Sequence, residues 1–236
     1  MNYYIVMVET QEVFTMMGGR VKMIGPTYRP TCDAVWAAAF ADGNPKTVLD
    51  VGTGTGAVAL CLMARMPNVQ MTAIDISQDM LDVAAENFKL NNRDAELINA
   101  DITTWRTSKT FDLVITNPPY FKGTPANHNA HHNADLNAWV GHCIARVKPN
   151  GTFIIIIDAT ETANIISEMT RHHCGNINIL PLFSVKHTAE RVLISGTLGR
   201  ATNVNLFTGL SINNDAVLRD GISIAEILAA QAVKKR

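Results

Sequence analysis

The chain has 236 residues, is 47% hydrophobic and carries a formal net charge of −1, which suits one domain with at most a small extension. No apolar run approaches the roughly 20 residues of a membrane-spanning helix. The apolar start, Met1 to Val8, lacks the basic lead and small-residue cleavage site of a secretory signal, and the charge balance argues against coating nucleic acid through charge alone. A cytoplasmic protein is expected. Cys32, Cys61, Cys143 and Cys174 form no CxxC pair, so free thiols are expected and a metal site is not.

In chain order, Val13–Met17 and Arg20–Ile24 flank Gly18-Gly19, the pattern of a hairpin with a two-residue turn. Thr31 is placed to cap a helix running to about Phe40, with Asp33 in its first turn. From residue 46 strands and helices alternate. Thr47–Val51, Val69–Asp75, Glu96–Asn99 and Asp112–Thr116 read as strands, separated by helices over Gly54–Met66 and Asp79–Leu90. A polar loop from Lys122 to about Asn133 holds His128, His131 and His132 and reads as solvated. Helical spacing of Leu136, Trp139, Val140, Cys143, Ile144 and Val147 follows. Phe153–Ile157 is a continuous apolar strand. Thr160 is placed to cap a helix to His173, and Ile177–Phe183 and Arg191–Thr197 are strands with no helix between them.

The alternation predicts an α/β, Rossmann-like fold: an open, mostly parallel seven-stranded sheet with helices on both faces and an antiparallel final strand pair. Residues 1–45 would form a hairpin and helix packed on the main domain, 46–199 that domain, and 200–236 an extension of it. Ligands in such sheets sit beyond the carboxyl ends of the strands, near the switch point. Gly52, Asp75, Asp101 and Asn117 all fall at strand ends, so one rim gathers four candidate polar sites.

Asp50-Val-Gly52-Thr53-Gly54-Thr-Gly56 follows a strand and opens a helix. Glycines let a ligand approach the backbone, and a helix start offers free N–H groups. Read as GxGxxA, with Ala57 third, this is a dinucleotide loop. Read as DxGxGxG, it is an S-adenosylmethionine loop. Asp50 favours the second, because a carboxylate there attracts an ammonium group and repels a pyrophosphate. Asp75 is spaced to hold a ribose. Asp101 can accept a hydrogen bond from an adenine amine, with Ile76 and Ile102 on either side of the ring; a turn cap for Asp101 and ordinary core for the isoleucines are the competing readings. The strand before Asn117-Pro118-Pro119-Tyr120 stops abruptly, since two prolines cannot continue the ladder. An amide, two free carbonyls and a ring are left there, a combination that suits a flat ligand bearing an NH2 group.

On these motifs the chain resembles the class I methyltransferases, in the amino-methylating branch marked by Asn-Pro-Pro-Tyr. The resemblance implies that Asn117 and the Pro118 carbonyl accept hydrogen bonds from the target NH2, within a turn stiffened by Pro119, while Tyr120 stacks on the substrate. The segments Gly18–Val21, Tyr28–Val35, Asn117–Phe121 and Arg191–Leu193 occur in the order seen in the bacterial valine-tRNA adenine-N6 methyltransferase family. This implies S-adenosylmethionine as cofactor, with Arg29 near it, and as substrate a tRNA adenine beside the anticodon. A monomer is favoured. Arg191 is read as a contact for RNA phosphate or a surface arginine. The three histidines after Tyr120 stand where relatives tend to carry arginine. Competing readings are a guanine-amine methyltransferase of ribosomal RNA, a methyltransferase of a protein glutamine amide (those usually carry a helical domain before the glycine loop, and only 49 residues precede Asp50), and a nicotinamide-dependent oxidoreductase.

Overall fold

The computed structural model describes residues 13–24, 32–119, 129–185, 187–201 and 203–234. Arg29, Tyr120 and His128 lie outside them, as does the Thr31 cap. The hairpin forms from β1 (Val13–Met16) and β2 (Val21–Ile24), a separate two-stranded sheet in which Met16 pairs with Val21. The register is the one a Gly18-Gly19 turn predicts. However, Met17 leaves the strand, with φ 51° and its side chain buried, so the connection is longer than two residues.

α1 (Asp33–Phe40) precedes the alternating core: β3 (Thr47–Val51), α2 (Ala57–Arg65), β4 (Gln70–Asp75), α3 (Gln78–Leu90), β5 (Glu96–Asn99) and β6 (Phe111–Thr116). Next come α4 (Asn129–Ile144), β7 (Val147–Asp158), α5 (Thr162–Arg171), β8 (Cys174–Phe183) and β9 (Arg191–Leu198). The tail adds β10 (Val204–Leu206), β11 (Leu210–Ser211), α6 (Asp215–Leu218) and α7 (Ile224–Lys234). The strand order is β10-β8-β9-β7-β6-β3-β4-β5, with β11 also pairing β8. Pairing is parallel except at β9, which runs antiparallel to β7 and β8. The seven expected strands and the antiparallel pair are present, and the tail supplies two short strands besides.

Side chains alternate cleanly across the sheet. Val48, Leu113, Ile115, Ile154 and Ile156 pack on the face of α1, α2 and α3, whereas Leu49, Val51, Val114, Phe153 and Ile155 pack on that of α4 and α5. β3 leads outward to β4 and β5, while β6 returns to its other side. The topological switch point therefore lies between β3 and β6.

Several local expectations change. α4 begins at Asn129, so His131 and His132 lie on a helix, not in a loop, and Val147 starts β7. The turn before α5 is capped by Asp158, whose side chain accepts from the Thr160 N–H at 3.0 Å. Asp33 is buried, and its Oδ2 meets Arg191 Nε at 3.2 Å. Arg191 also faces Asp158 Oδ2 at 3.5 Å. The guanidinium ties β9 to α1 through the buried Asp33 and also faces the half-exposed Asp158, so it is engaged by carboxylates and is not a simple surface arginine.

The outer edge of β2 is closed by a helix. Asn87 on α3 and Asn91 at its C-cap, one turn apart, meet Ile24 and Lys22, two apart on β2. Asn87 Oδ1 accepts from Ile24 N at 2.7 Å and its Nδ2 donates to Ile24 O at 3.0 Å; Asn91 does the same with Lys22 at 2.8 and 2.6 Å. Four helical residues rise about 6 Å and two strand residues about 7 Å, so side-chain amides can imitate a neighbouring strand. Asn87 Nδ2 also donates to Thr55 O at 3.0 Å, joining hairpin and glycine loop.

Candidate active site

The rim at the carboxyl ends of β3, β4, β5 and β6 gathers most of the residues singled out from sequence. In the β3–β6 ladder Val51 pairs with Thr116, so Gly52 and Asn117 leave adjacent strands side by side at the switch point. Thr116 Oγ1 donates to Val51 O at 2.8 Å and locks the two exits together.

Beyond β3 the chain turns sharply, because Gly52, Gly54 and Gly56 all adopt positive φ (70°, 54° and 85°), a region that strains other residues. Gly52 N and Thr53 N both donate to Ile74 O, at 2.9 and 3.1 Å, which draws the loop toward β4. Gly54 N donates to Asp75 Oδ2 at 2.8 Å, and a Cβ on Gly54 would meet nothing within 4 Å. A ligand can therefore approach the backbone there. A Cβ on Gly52, in contrast, would lie 3.0 Å from the Trp139 ring, so a protein side chain already occupies that approach.

Asp50 is completely buried. Its Oδ2 accepts from Thr53 Oγ1 at 2.7 Å and Ala59 N at 3.2 Å, while Oδ1 has no hydrogen-bond partner. Burial pushes its carboxyl from 3.8 up to about 7; the Thr53 and Ala59 bonds offset part of this and the nearby Asp75 adds to it. An orphaned buried carboxylate oxygen is costly, and a cationic donor would relieve it. Asp75 is half-buried at the end of β4, its Oδ1 accepting from Ser77 N at 2.9 Å. Carboxylate oxygens have spare lone pairs, so Asp75 can still accept ligand hydroxyls.

Ile76 is 71% exposed, an apolar side chain open to solvent on a polar rim. Ile102 is not its counterpart. At 2% exposure it belongs to the core beneath α4 and α5, leaving too little free surface for one side of a sandwich. Asp101 Oδ1 caps its own turn, accepting from Thr103 N and Thr103 Oγ1, each at 2.8 Å. Both the turn-cap reading and a role for its second oxygen fit.

Asn117 is half-buried, Pro118 buried and Pro119 exposed. Sequence reasoning passed over Thr116, Asn87 and Trp139. Asn87 carried a signal, a polar residue beside Phe88 on the apolar face of α3. Trp139 carried none, since its spacing is that of ordinary core. Among the described residues no group of three or more His, Cys, Asp or Glu is placed to hold a metal, and no helix is long and apolar enough to cross a membrane.

The orphaned Asp50 Oδ1, the open space over Gly54, the acceptors of Asp75 and the exposed Ile76 fit a ligand with an ammonium group, a ribose and a flat ring. They fit a pyrophosphate poorly, because Asp50 and Asp75 flank the loop.

Comparison with known proteins agrees. A family model described as the methyltransferase small domain matches residues 34–179. A tRNA1(Val) (adenine(37)-N6)-methyltransferase from Glaesserella parasuis is 34% identical over 139 residues, 54% of this chain and 59% of that protein. The chain thus spans little more than half of that relative's length. One of the same description from Pedobacter heparinus is 27% identical over 83% of this chain and 90% of its own. A release factor glutamine methyltransferase from Deinococcus radiodurans is 31% identical over 52% of this chain and 49% of its own. Among solved structures, one from Agrobacterium tumefaciens described as a predicted O-methyltransferase has a TM-score of 0.66 at 20% identity, covering 81% of this chain and 97% of that one. At that identity the likeness concerns the fold.

Proposed function

The chain belongs to the methyltransferase small domain family, and on that premise we propose that it transfers a methyl group from S-adenosylmethionine to the exocyclic N6 amine of an adenine in tRNA. The observation that carries this reading is the register of β3 and β6. It sets the glycine loop and the Asn117-Pro118-Pro119 turn next to each other at the switch point, with Val51 and Thr116 as the last ladder pair. Adjacent strands lie about 4.8 Å apart, so the two loops leave the sheet side by side. The tRNA substrate rests on the relatives described as tRNA1(Val) (adenine(37)-N6)-methyltransferases, which suggest an adenine next to the anticodon of a valine tRNA.

In this reading Asp50 attracts the ammonium group of the cofactor, Asp75 holds its ribose, and Gly54 lets it lie against the backbone. Ile76 covers one face of the adenine, Asp101 accepts from the adenine amine, and Arg29 lies near the cofactor. When bound, S-adenosylmethionine supplies an electrophilic methyl on a sulfonium. The substrate amine is a weak nucleophile because its lone pair is delocalised into the ring. Asn117 Oδ1 and the Pro118 carbonyl accept its two hydrogens, which favours the pyramidal nitrogen and aims the lone pair along the line of displacement. Pro119 stiffens the turn, and Tyr120 stacks on the base. Catalysis is mainly orientation and electrostatic preorganisation, and the proton leaves from the methylated nitrogen without a strong base.

The release factor relative supports a second reading, since Asn117 and Pro118 would hold a glutamine amide in the same way. One experiment separates the possibilities. The protein is incubated with radiolabelled S-adenosylmethionine and total RNA from cells lacking it, and in parallel with release factors, and the product is digested to nucleosides or peptides. Label in N6-methyladenosine from tRNA is expected. Label in a methylguanosine of ribosomal RNA, or in release factor alone, overturns the tRNA-adenine reading, and binding of NAD without S-adenosylmethionine would sink the methyltransferase itself. Asn117→Ala should cut the methylation rate by about a thousandfold, the scale of removing a preorganised hydrogen-bonding group, while cofactor affinity by calorimetry stays within about threefold.

A further inference from the structure

One side chain outside the sequence motifs touches both halves of this site. Trp139, on α4, donates from Nε1 to Thr116 Oγ1 at 3.2 Å. The Thr116 hydroxyl has a single proton, committed to Val51 O at 2.8 Å, so it accepts from the indole and donates to the carbonyl at once. Thr116 is fully buried, and Val51 and Thr116 end β3 and β6 in register. The relay therefore clamps the two strands at the point where the backbone ladder stops. The benzo edge next to that N–H lies over Gly52, whose missing Cβ would come within 3.0 Å of Cζ2 and 3.1 Å of Cη2. Gly52 is held on its other side by its bond to Ile74 O at 2.9 Å, so the donor loop is gripped between β4 and the indole.

We propose that Trp139 is a positioning residue for methyl transfer: through Thr116 and by contact with Gly52 it sets the distance between the cofactor loop and the amine-holding turn at Asn117. The proposal rests on the methyltransferase reading above. Displacements of about 1 Å between reacting groups cost up to about a hundredfold in rate, so this spacing has to be held by something stiffer than the loops. A planar ring hydrogen-bonded through its N–H and packed through the adjoining benzo edge supplies that stiffness.

The test uses the full chain with Trp139→Phe, which keeps an aromatic ring but loses the donor, and Thr116→Val, which keeps the shape but loses the hydroxyl. Each should lower kcat by about ten- to a hundredfold with the cofactor KM changed less than about threefold. The double variant should be no worse than the slower single one, because both break one relay, and Thr116→Ser should restore most of the rate. A fall in thermal midpoint with kcat per folded molecule unchanged, or multiplicative losses in the double variant, would show a merely structural role and overturn the proposal. A second readout does not need turnover. The indole N–H resonance missing from Trp139→Phe should shift when S-adenosylhomocysteine binds the parent protein, and Thr116→Val should change that shift. If the parent labels no acceptor, the functional reading fails while this resonance still decides the placement of Trp139 beside the cofactor loop; an unmoved resonance in a protein that binds S-adenosylhomocysteine overturns it.

Discussion

Asp50 and Asp112 sit on neighbouring parallel strands, and the two ends of the sheet treat them in opposite ways. Asp112, at the start of β6, is fully engaged. Its Oδ2 accepts from Lys46 N and Thr47 N, each at 2.9 Å, and from Thr47 Oγ1 at 3.1 Å, and its Oδ1 faces Lys148 Nζ at 2.9 Å. Burial pushes its carboxyl up, but the Lys148 ammonium and the Thr47 and Lys46 donors outweigh that and bring it down to about 2. Asp50, at the end of β3, has two donors on one oxygen and none on the other, and burial holds it near 7. A carboxylate placed for structure is surrounded until it is content as an anion. Asp50 is left incomplete, which is what the proposed ammonium-binding role requires: the fold would carry the cost until a ligand arrives.

The sharpest way to break this contrast is Asp50→Asn. Losing one member of a hydrogen-bonded charge pair costs about 2–5 kcal/mol, so S-adenosylmethionine affinity by calorimetry should fall by about a hundredfold or more. The same change should help the ligand-free protein at alkaline pH. Between 3.8 and about 7 the folded state holds the Asp50 proton more tightly than the unfolded state, so stability falls as pH rises through that window, by an amount on the order of a few kcal/mol. The thermal midpoint of Asp50→Asn relative to the parent should therefore rise from pH 5 to pH 8. A difference that stays constant would mean that Asp50 is already ionised and paired.

The parent protein should show the ligand side of the same linkage. An ammonium ligand binds the carboxylate form, so cofactor affinity should weaken by up to about tenfold per pH unit as pH drops below about 7. A flat profile from pH 5.5 to 7 would remove Asp50 from the binding site. The smallest effect is expected at the other end of the sheet. Asp112→Asn should leave kcat within about twofold and lower the urea-derived stability by about 1 kcal/mol, a figure already reduced for solvent screening of a half-exposed pair. Because the Asp112 carboxyl is depressed from 3.8 to about 2, its contribution is present above about pH 4 and lost as pH falls through about 2, and the two proteins should converge there.

Much of the site was legible because its chemistry is local. Pro118 and Pro119 end a strand wherever they stand. Gly52, Gly54 and Gly56 permit a turn that other residues resist, and the β-α alternation places each strand end on one rim. What was misread depends on partners distant in sequence. Asp33 does stand in the first turn of α1 as read, but its burial against Arg191, 158 positions away, could not be seen. Thr160 looked like a cap two residues late because Asp158 could not be distinguished by pattern. Ile102 shares its residue type with Ile76, yet one is 2% and the other 71% exposed, because Ile102 joins a core cluster assembled from several distant elements.

The sequence by itself thus determined the strand and helix order, the sharp turn after β3, the stop after β6 and the chemical groups brought to the rim, since these follow from backbone sterics and from side-chain periods of 2 and 3.6. Only the tertiary structure decided which of those groups are complete. The orphaned oxygen of Asp50, the saturation of Asp112, the amide ladder of Asn87 and Asn91 on β2 and the Trp139 clamp over Gly52 all depend on which distant atoms fill a hydrogen-bonding position or a van der Waals gap. No local pattern encodes that, because satisfaction of a buried polar atom is a property of its surroundings and not of its residue type.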